Sequence, residues 1–327
     1  MEKRTLGRTG RSVSAVGLGA WQLGADWGSV SESDALSTLN AAVDAGVTFI
    51  DTADVYGDGR SERLVGELLR SRPSAGLTVA TKMGRRLPQS PSIYTLDNFR
   101  GWLDRSRSNL GVDTLDLVQL HCPPSAVYSS GAVYEALDLL VAEKVIASYG
   151  VSVETCAEAL AAVARPGVAS VQIILNAFRL KPLAQVLPAA LAAGVGIIAR
   201  VPLASGLLSG RYDTSTSFGA DDHRTYNRQG EAFDVGETFS GVSFATGLEA
   251  VQRLRPLVPE GASMAQFALR WILDQPGVST VIPGARNAEQ ANANAAAAAL
   301  APLPEAVLAE VRAIYDELIR PDVHDRW

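Results

Sequence analysis

Short apolar runs alternate with amphipathic helical stripes along almost the whole chain, and this alternation limits the fold more than any other property. Apolar runs lie near 16–21, 49–53, 77–81, 115–120, 148–152, 170–175, 196–201 and 279–283. Between them the spacing turns helical. Ser31 with Asp34 three residues on has the form of a capping box, and Leu36, Leu39 and Val43 then share one face. Leu64, Val65, Leu68 and Leu69 form the next stripe, and further helices are predicted over 96–110, 131–144, 155–164, 182–193, 262–274, 287–296 and 303–320. Strands joined through helices pair in parallel, and eight such units in 327 residues predict a closed (β/α)8 TIM barrel. Turns at Gly7 and Thr9-Gly10, ahead of the first unit, predict an N-terminal β-hairpin. No linker rich in Pro, Gly or Ser divides the chain, so one barrel domain over 1–327 is expected.

Composition narrows the partners. With 47% hydrophobic and 20% charged residues the chain can fill a large core, and a net charge of -6 argues against nucleic acid as the main partner. Cys122 and Cys156 are the two cysteines and have no CxxC spacing, so neither a disulfide framework nor a metal site is expected. Lys3, Arg4, Arg8 and Arg11 precede no long apolar run, unlike a signal peptide. The longest apolar stretch, 182–199, is broken by Gln185 and Pro188 and reads as a helix followed by a strand rather than a membrane span. A cytoplasmic protein with no membrane partner is expected, its oligomeric state left open.

A barrel of this kind carries its chemistry at the carboxyl ends of the strands. The second strand ends on Asp51, with Tyr56 just beyond; the third ends on Thr81-Lys82, the fourth on Leu120-His121 and the fifth on Val151-Ser152. The sixth carries Gln172 and Asn176, the seventh Arg200, and the eighth runs into Gly284-Ala285-Arg286. Lys82 stands out because the chain has four lysines against twenty-five arginines. Singly, these residues fit ordinary structural roles: a snorkelling lysine, a core histidine, a turn aspartate, a packed loop aromatic. Together they form a set. A phenol with a pKa of about 10 exchanges protons poorly near neutrality unless a cation lies beside it. Lys82 can be that cation, Asp51 can hold the lysine, and neutral His121 can orient an oxygen. Such a set moves a proton on or off an oxygen while the attached carbon reacts. No nucleophile with an adjacent base supports hydrolysis.

The stretches 49–62, Ala80-Thr-Lys-Met-Gly84, Leu117-Val-Gln-Leu-His121, Tyr149-Gly-Val-Ser152 and Ile282-Pro-Gly-Ala-Arg-Asn287 carry a resemblance to the aldo-keto reductase superfamily over nearly the whole chain. The resemblance implies a catalytic tetrad of Asp51, Tyr56, Lys82 and His121, with Tyr56 the general acid in carbonyl reduction and NADPH the hydride donor. It implies Ser152 and Gln172 at the nicotinamide carboxamide, Pro202, Leu203, Gly206, Leu207 and Arg211 along the pyrophosphate, Arg286 on the adenosine 2'-phosphate, and Gln290 and Asn294 at the adenine. Trp21 and Gly284 join the cofactor pocket, Trp21 also as a wall for a small-molecule carbonyl substrate. Gly17-Leu-Gly19-Ala-Trp21-Gln22 begins like a dinucleotide fingerprint but lacks its third glycine.

Two positions depart from the family pattern. Val153 stands where an asparagine is common, and Arg200 stands where many members place an aromatic ring against the nicotinamide. A cation there is expected to favour the reduced, neutral ring. The polar segment 210–245, with His223, Arg224, Tyr226, Arg228 and Phe233, is expected to close over the mouth, and Trp27, Tyr128 and Trp327 are further substrate-wall candidates. A sugar or nucleotide-sugar ketone competes with a broader range of aldehydes as substrate. The rival functions are a cofactor-binding regulatory subunit, like the potassium-channel β subunits of this fold, and a lyase or isomerase using Lys82 as a Schiff-base amine.

Overall fold

A computed structural model describes residues 1–24 and 30–327; Trp27 lies outside the described residues. Strands β1 (Lys3–Thr5) and β2 (Ser12–Ser14) form the antiparallel hairpin. The barrel strands follow as β3 (Leu18–Gly19), β4 (Phe49–Asp51), β5 (Thr78–Met83) and β6 (Leu117–His121). They continue as β7 (Tyr149–Ser152), β8 (Val168–Ile174), β9 (Gly196–Arg200) and β10 (Val278–Val281). Each pairs in parallel with its sequence neighbour, and the bridges Val16–Val281 and Gly19–Gly284 close the ring between β3 and β10. The expected (β/α)8 barrel and its hairpin are therefore present.

The wall of helices comprises α1 (Trp21–Gly24), α2 (Glu32–Asp44), α3 (Arg60–Ser71), α4 (Leu96–Leu110) and α5 (Gly131–Ala142). It continues with α6 (Cys156–Val163), α7 (Pro182–Ala193), α8 (His223–Tyr226) and α9 (Phe244–Leu254). Last come α10 (Met264–Leu273), α11 (Ala288–Ala296), α12 (Glu305–Ile314) and α13 (Arg320–Val323). Local chemistry fixes their ends. Ser31 accepts the Asp34 amide at 3.1 Å and its hydroxyl donates to the Asp34 carboxylate, starting α2 as its sequence implied. In α4, Phe99, Trp102, Leu103, Ser106 and Leu110 are buried at helical spacing, and Gly111 at φ 69° ends the helix.

Two elements differ from the expectation. α9 starts at the very end of the segment assigned as polar connection and runs on through residues given no element; Ser243 caps it, and Ala250, Val251 and Leu254 are buried. It belongs to no strand–helix unit, so the alternation does not announce it. The single helix expected over 303–320 is two helices joined by a π-helical turn at Tyr315–Ile319. Pro321, which has no N–H to donate, stands just after that change of register.

Inside the ring, alternate residues of each strand face the axis. Phe49, Ala80, Leu117 and Ile198 join Leu6 and Val13 of the hairpin and Ile282 in one apolar cluster that fills the amino-terminal half. The hairpin seals that end at close range. Gly7, at φ +47°, lies so near β9 that an added Cβ would sit 2.0 Å from the Gly196 nitrogen and 2.4 Å from the Ala169 carbonyl. Gly7→Ala combines left-handed strain with a backbone clash and is expected to destabilise the fold by at least ~2 kcal/mol, read as a lower urea midpoint without a change in slope.

Candidate active site

Two residues beyond each apolar inward position, the barrel interior becomes polar. Asp51 follows Phe49, Lys82 follows Ala80, Gln119 follows Leu117 and Arg200 follows Ile198. Pleating thus turns a short sequence offset into a polar layer resting on an apolar plug. All four side chains are buried, Lys82 at 1% exposure.

Lys82 is held from three sides. Its ammonium is ion-paired with Asp51 and donates to the Thr52 carbonyl at 2.9 Å and to the Tyr56 hydroxyl at 3.3 Å. Burial works against its charge, but Asp51 and Tyr56 outweigh that and hold Lys82 above its ordinary pKa. For Tyr56, burial is the largest influence and raises the phenol; Lys82 pulls it down without overcoming that rise. The expected cation is in place, and Tyr56 is a protonated donor at neutral pH. The His121 ring meets Tyr56 edge-on at 5.9 Å. Burial first, then the cations Arg85, Lys82 and Arg200, push its pKa well below the usual histidine value, so the imidazole is neutral. Asp51, Lys82 and His121, from three consecutive strand ends, thus meet around the Tyr56 phenol.

Gln119, which the strand-end reasoning passed over, completes the layer. It donates to Asp51 Oδ2 at 3.1 Å, and Gln172 donates to the same oxygen at 2.7 Å. Gln172 lines the cavity as expected, but its amide nitrogen is spent on Asp51 and on Gln119 Oε1 at 3.3 Å. The signal for Gln119 was its position between inward-facing Leu117 and His121.

Above this layer opens a cavity of about 870 Å³. Asp51, Tyr56, His121, Ser152, Gln172 and Arg200 line its floor. Pro202, Leu203, Gly206 and Arg211 line one wall, and Gly284, Arg286, Gln290 and Asn294 the far end. Gln290 accepts the Arg286 amide at 2.9 Å and Asn294 donates to the Gly284 carbonyl at 3.1 Å, so both also brace the turn into α11. Leu207 is the exception. It is buried at 1% exposure against Gly247 of α9 and does not line the cavity.

Trp21 reaches the cavity from α1, stacked on Tyr56 at 6.0 Å and touching Phe233 at 5.8 Å. Phe233 and Arg224 bring the segment 210–245 to the mouth, and His223 lies 5.1 Å from Trp21. Tyr226 packs on Phe233 and Arg228 on Phe239. Two proposed wall residues act from behind instead. Tyr128 is buried and donates to the Ser152 carbonyl at 2.7 Å. Trp327 donates to Asp234 at 3.0 Å with the Arg179 guanidinium 3.4 Å over its ring, anchoring the segment.

The chain matches the model of the Aldo/keto reductase family over residues 15–316. It belongs to the aldo/keto reductase family, and its class of chemistry is that of an oxidoreductase. It is 30% identical to the aldo-keto reductase YhdN of Bacillus subtilis, covering 90% of this chain and 87% of that one. It is also 30% identical to a probable voltage-gated potassium channel subunit beta of Oryza sativa, over 94% of both chains. Among solved structures, the glycerol dehydrogenase AKR11B4 of Gluconobacter oxydans superposes with a TM-score of 0.76 at 27% identity, covering 98% of this chain and 96% of that one.

Within this aldo/keto reductase the two departures acquire physical explanations. Val153 is a core residue whose carbonyl accepts from Arg200 at 2.8 Å; it faces away from the cavity. Arg200 is not a lone cation. It is ion-paired with Glu237 and bonded to Glu154 at 2.8 Å, and Arg85 lies 3.5 Å from the other Glu154 oxygen. Two guanidinia alternate with two carboxylates, so the expected bias toward a neutral ring is offset. Cys122, Glu154 and Glu237 have ligand atoms within 4.8 Å of one another, the one such grouping among the described residues, and Arg200 bonds to all three.

Asp54, three residues after Asp51, is fully buried with neither carboxyl oxygen hydrogen-bonded. Burial and the Glu62 carboxylate raise its pKa to about 7 against the pull of Arg86 and Arg105. Its folded pKa exceeds the unfolded value, so its contribution is intact below about pH 4 and is lost as pH rises toward about 7. Asp54→Asn should therefore be more stable than wild type above about pH 7, by a few kcal/mol, with the gap closing near about pH 4; urea denaturation at several pH values measures it.

Proposed function

We propose that this chain is an NADPH-dependent reductase that converts an aldehyde or ketone to an alcohol, with Tyr56 as general acid. The observation that carries this reading is the Tyr56 hydroxyl at the cavity floor, 3.3 Å from a lysine that Asp51 holds in place. When bound, the nicotinamide supplies a hydride to the carbonyl carbon. Tyr56 carries the proton for the carbonyl oxygen, and Lys82 lowers the penalty for the phenolate left behind. His121, neutral and beside Tyr56, offers an N–H to the same oxygen and fixes its direction. Asp51, braced by Gln119 and Gln172, keeps Lys82 from moving with each turnover.

The far end of the cavity fits the rest of the dinucleotide. Arg286 lies there and Arg211 on the adjoining wall; both are exposed, and neither is within ion-pair distance of a carboxylate among the described residues. Gly206, at φ +96°, leaves no room for a Cβ, which would meet the Tyr212 hydroxyl at 2.2 Å. These features support Arg211 at the pyrophosphate and Arg286 at the adenosine 2'-phosphate, where a guanidinium suits a phosphate dianion. Ser152 and Gln172 would hold the carboxamide, and Trp21 and Phe233 would flank the substrate.

Tyr56→Phe keeps the ring and removes the proton. It is expected to lower kcat for carbonyl reduction by about 10²- to 10⁴-fold while NADPH affinity stays within error; full activity in this variant would falsify the role given to Tyr56. Arg286→Ala should weaken NADPH by about tenfold or more and leave NADH unchanged, as read by fluorescence titration with each nucleotide. The likeness to the rice channel subunit favours a second reading, a cofactor-binding subunit with little turnover. Tight NADPH binding without oxidation across a panel of aldehydes, ketones and sugars would select it.

A further inference from the structure

Eight non-glycine residues among those described have φ in the left-handed region, and five of them fall in two short segments: Val201, Ala204 and Ser205 after β9, and Phe239 and Ser240 in the segment over the mouth. Each such residue is strained and persists only where its surroundings hold it. Val201 is β-branched, for which this conformation is least favourable. Something must hold both segments.

One side chain reaches both segments. Asn176, two residues beyond the end of β8 and fully buried, donates from Nδ2 to the Val201 carbonyl at 2.8 Å and to the Ser240 hydroxyl at 2.7 Å. Its own Oδ1 accepts the Phe178 amide at 2.8 Å, which fixes the orientation of the side chain. A second cross-link lies alongside: Ser205 Oγ donates to the Glu237 carbonyl at 2.8 Å and accepts the Phe239 amide at 3.0 Å. Val201, Leu203, Ser205 and Gly206 on one side and Glu237 on the other all line the cavity. The wall assigned to the pyrophosphate and the segment over the mouth are thus tied through a residue that does not itself line the cavity.

We propose that Asn176 is a positioning residue for the cofactor: it holds the 201–206 turn and the 237–240 segment in their left-handed forms, so that docking of the mouth segment and NADPH affinity depend on one side chain. The proposal rests on the reading of the cavity as an NADPH site. Asn176→Asp keeps size and shape but turns the donor into an acceptor facing the Val201 carbonyl. Ser240→Ala releases only the mouth segment.

The test compares wild type, N176D and S240A as full chains by three measurements: NADPH Kd from tryptophan fluorescence, the rate of tryptic cleavage at exposed Arg228 without nucleotide, and kcat at saturating NADPH. For N176D the expected results are an NADPH Kd raised about tenfold, cleavage faster by a similar factor, and kcat within about twofold of wild type. S240A should show the faster cleavage with a smaller rise in Kd. Unchanged Kd and cleavage in N176D overturn the proposal, as does a loss of kcat at unchanged Kd. If N176D does not fold, S240A decides alone: faster cleavage with weaker binding supports the proposal, and wild-type values in both overturn it. If wild type binds no NADPH, the cofactor reading fails, and the cleavage rates still judge the tie between the two segments.

Discussion

An ion pair inside a barrel is the constraint on which the rest of the site depends. Taking a carboxylate and an ammonium out of water costs several kcal/mol for each ion, and their attraction repays it only where the remaining donors and acceptors are also satisfied. Lys82 and Asp51 meet that condition. The lysine has a carbonyl and a phenol besides its carboxylate, and the aspartate has two amides besides its lysine. Two of these partners, Gln119 and Gln172, bring in side chains from further strands. The Tyr56 hydroxyl is thereby positioned by β4, β5, β6 and β8 together, although it stands on a loop.

The Arg85–Glu154–Arg200–Glu237 chain extends the same logic up the wall. Arg200 carries two of its three links, and Glu237 belongs to the segment over the mouth. Burial and then the Glu154 charge bear on Glu237 and raise its pKa despite Arg200, whereas Glu154, with Arg200 and Arg85 beside it, is held low. The two carboxylates share one guanidinium unequally. A wall built this way is near neutral overall yet polar at every point, and it suits a ligand that changes charge during a reaction better than a wall of one sign.

The barrel was legible because the period of hydrophobicity changes at each element, and a strand–helix repeat has few ways to close. The grouping of Asp51, Lys82 and His121 beside Tyr56 was legible because parallel strands deliver their last residues to one end. What escaped reading depends on contacts distant in sequence. Arg200 looked like an isolated cation because Glu154 and Glu237 lie 46 and 37 positions away. Leu207 was placed at the cavity by the family resemblance alone, and the direction of a side chain within the irregular 204–209 turn is set by backbone angles that a matching residue type does not encode. Tyr128 and Trp327 looked like wall aromatics, but aromatic character alone does not tell a lining ring from a supporting one. Gln119 was within reach: an amide between two inward positions of a buried strand has to bond to something inside.

The amino-terminal hairpin has a consequence for the order of events. With Leu6 and Val13 packed into the apolar plug, and Gly7 against the backbone of β9, the barrel floor can be reached from the opposite end alone. On the function proposed above, two ligands meeting at Tyr56 would share one doorway. The one seated deeper and longer along the wall would arrive first and depart last, so the sealed end of the barrel would set the sequence of traffic at the open one.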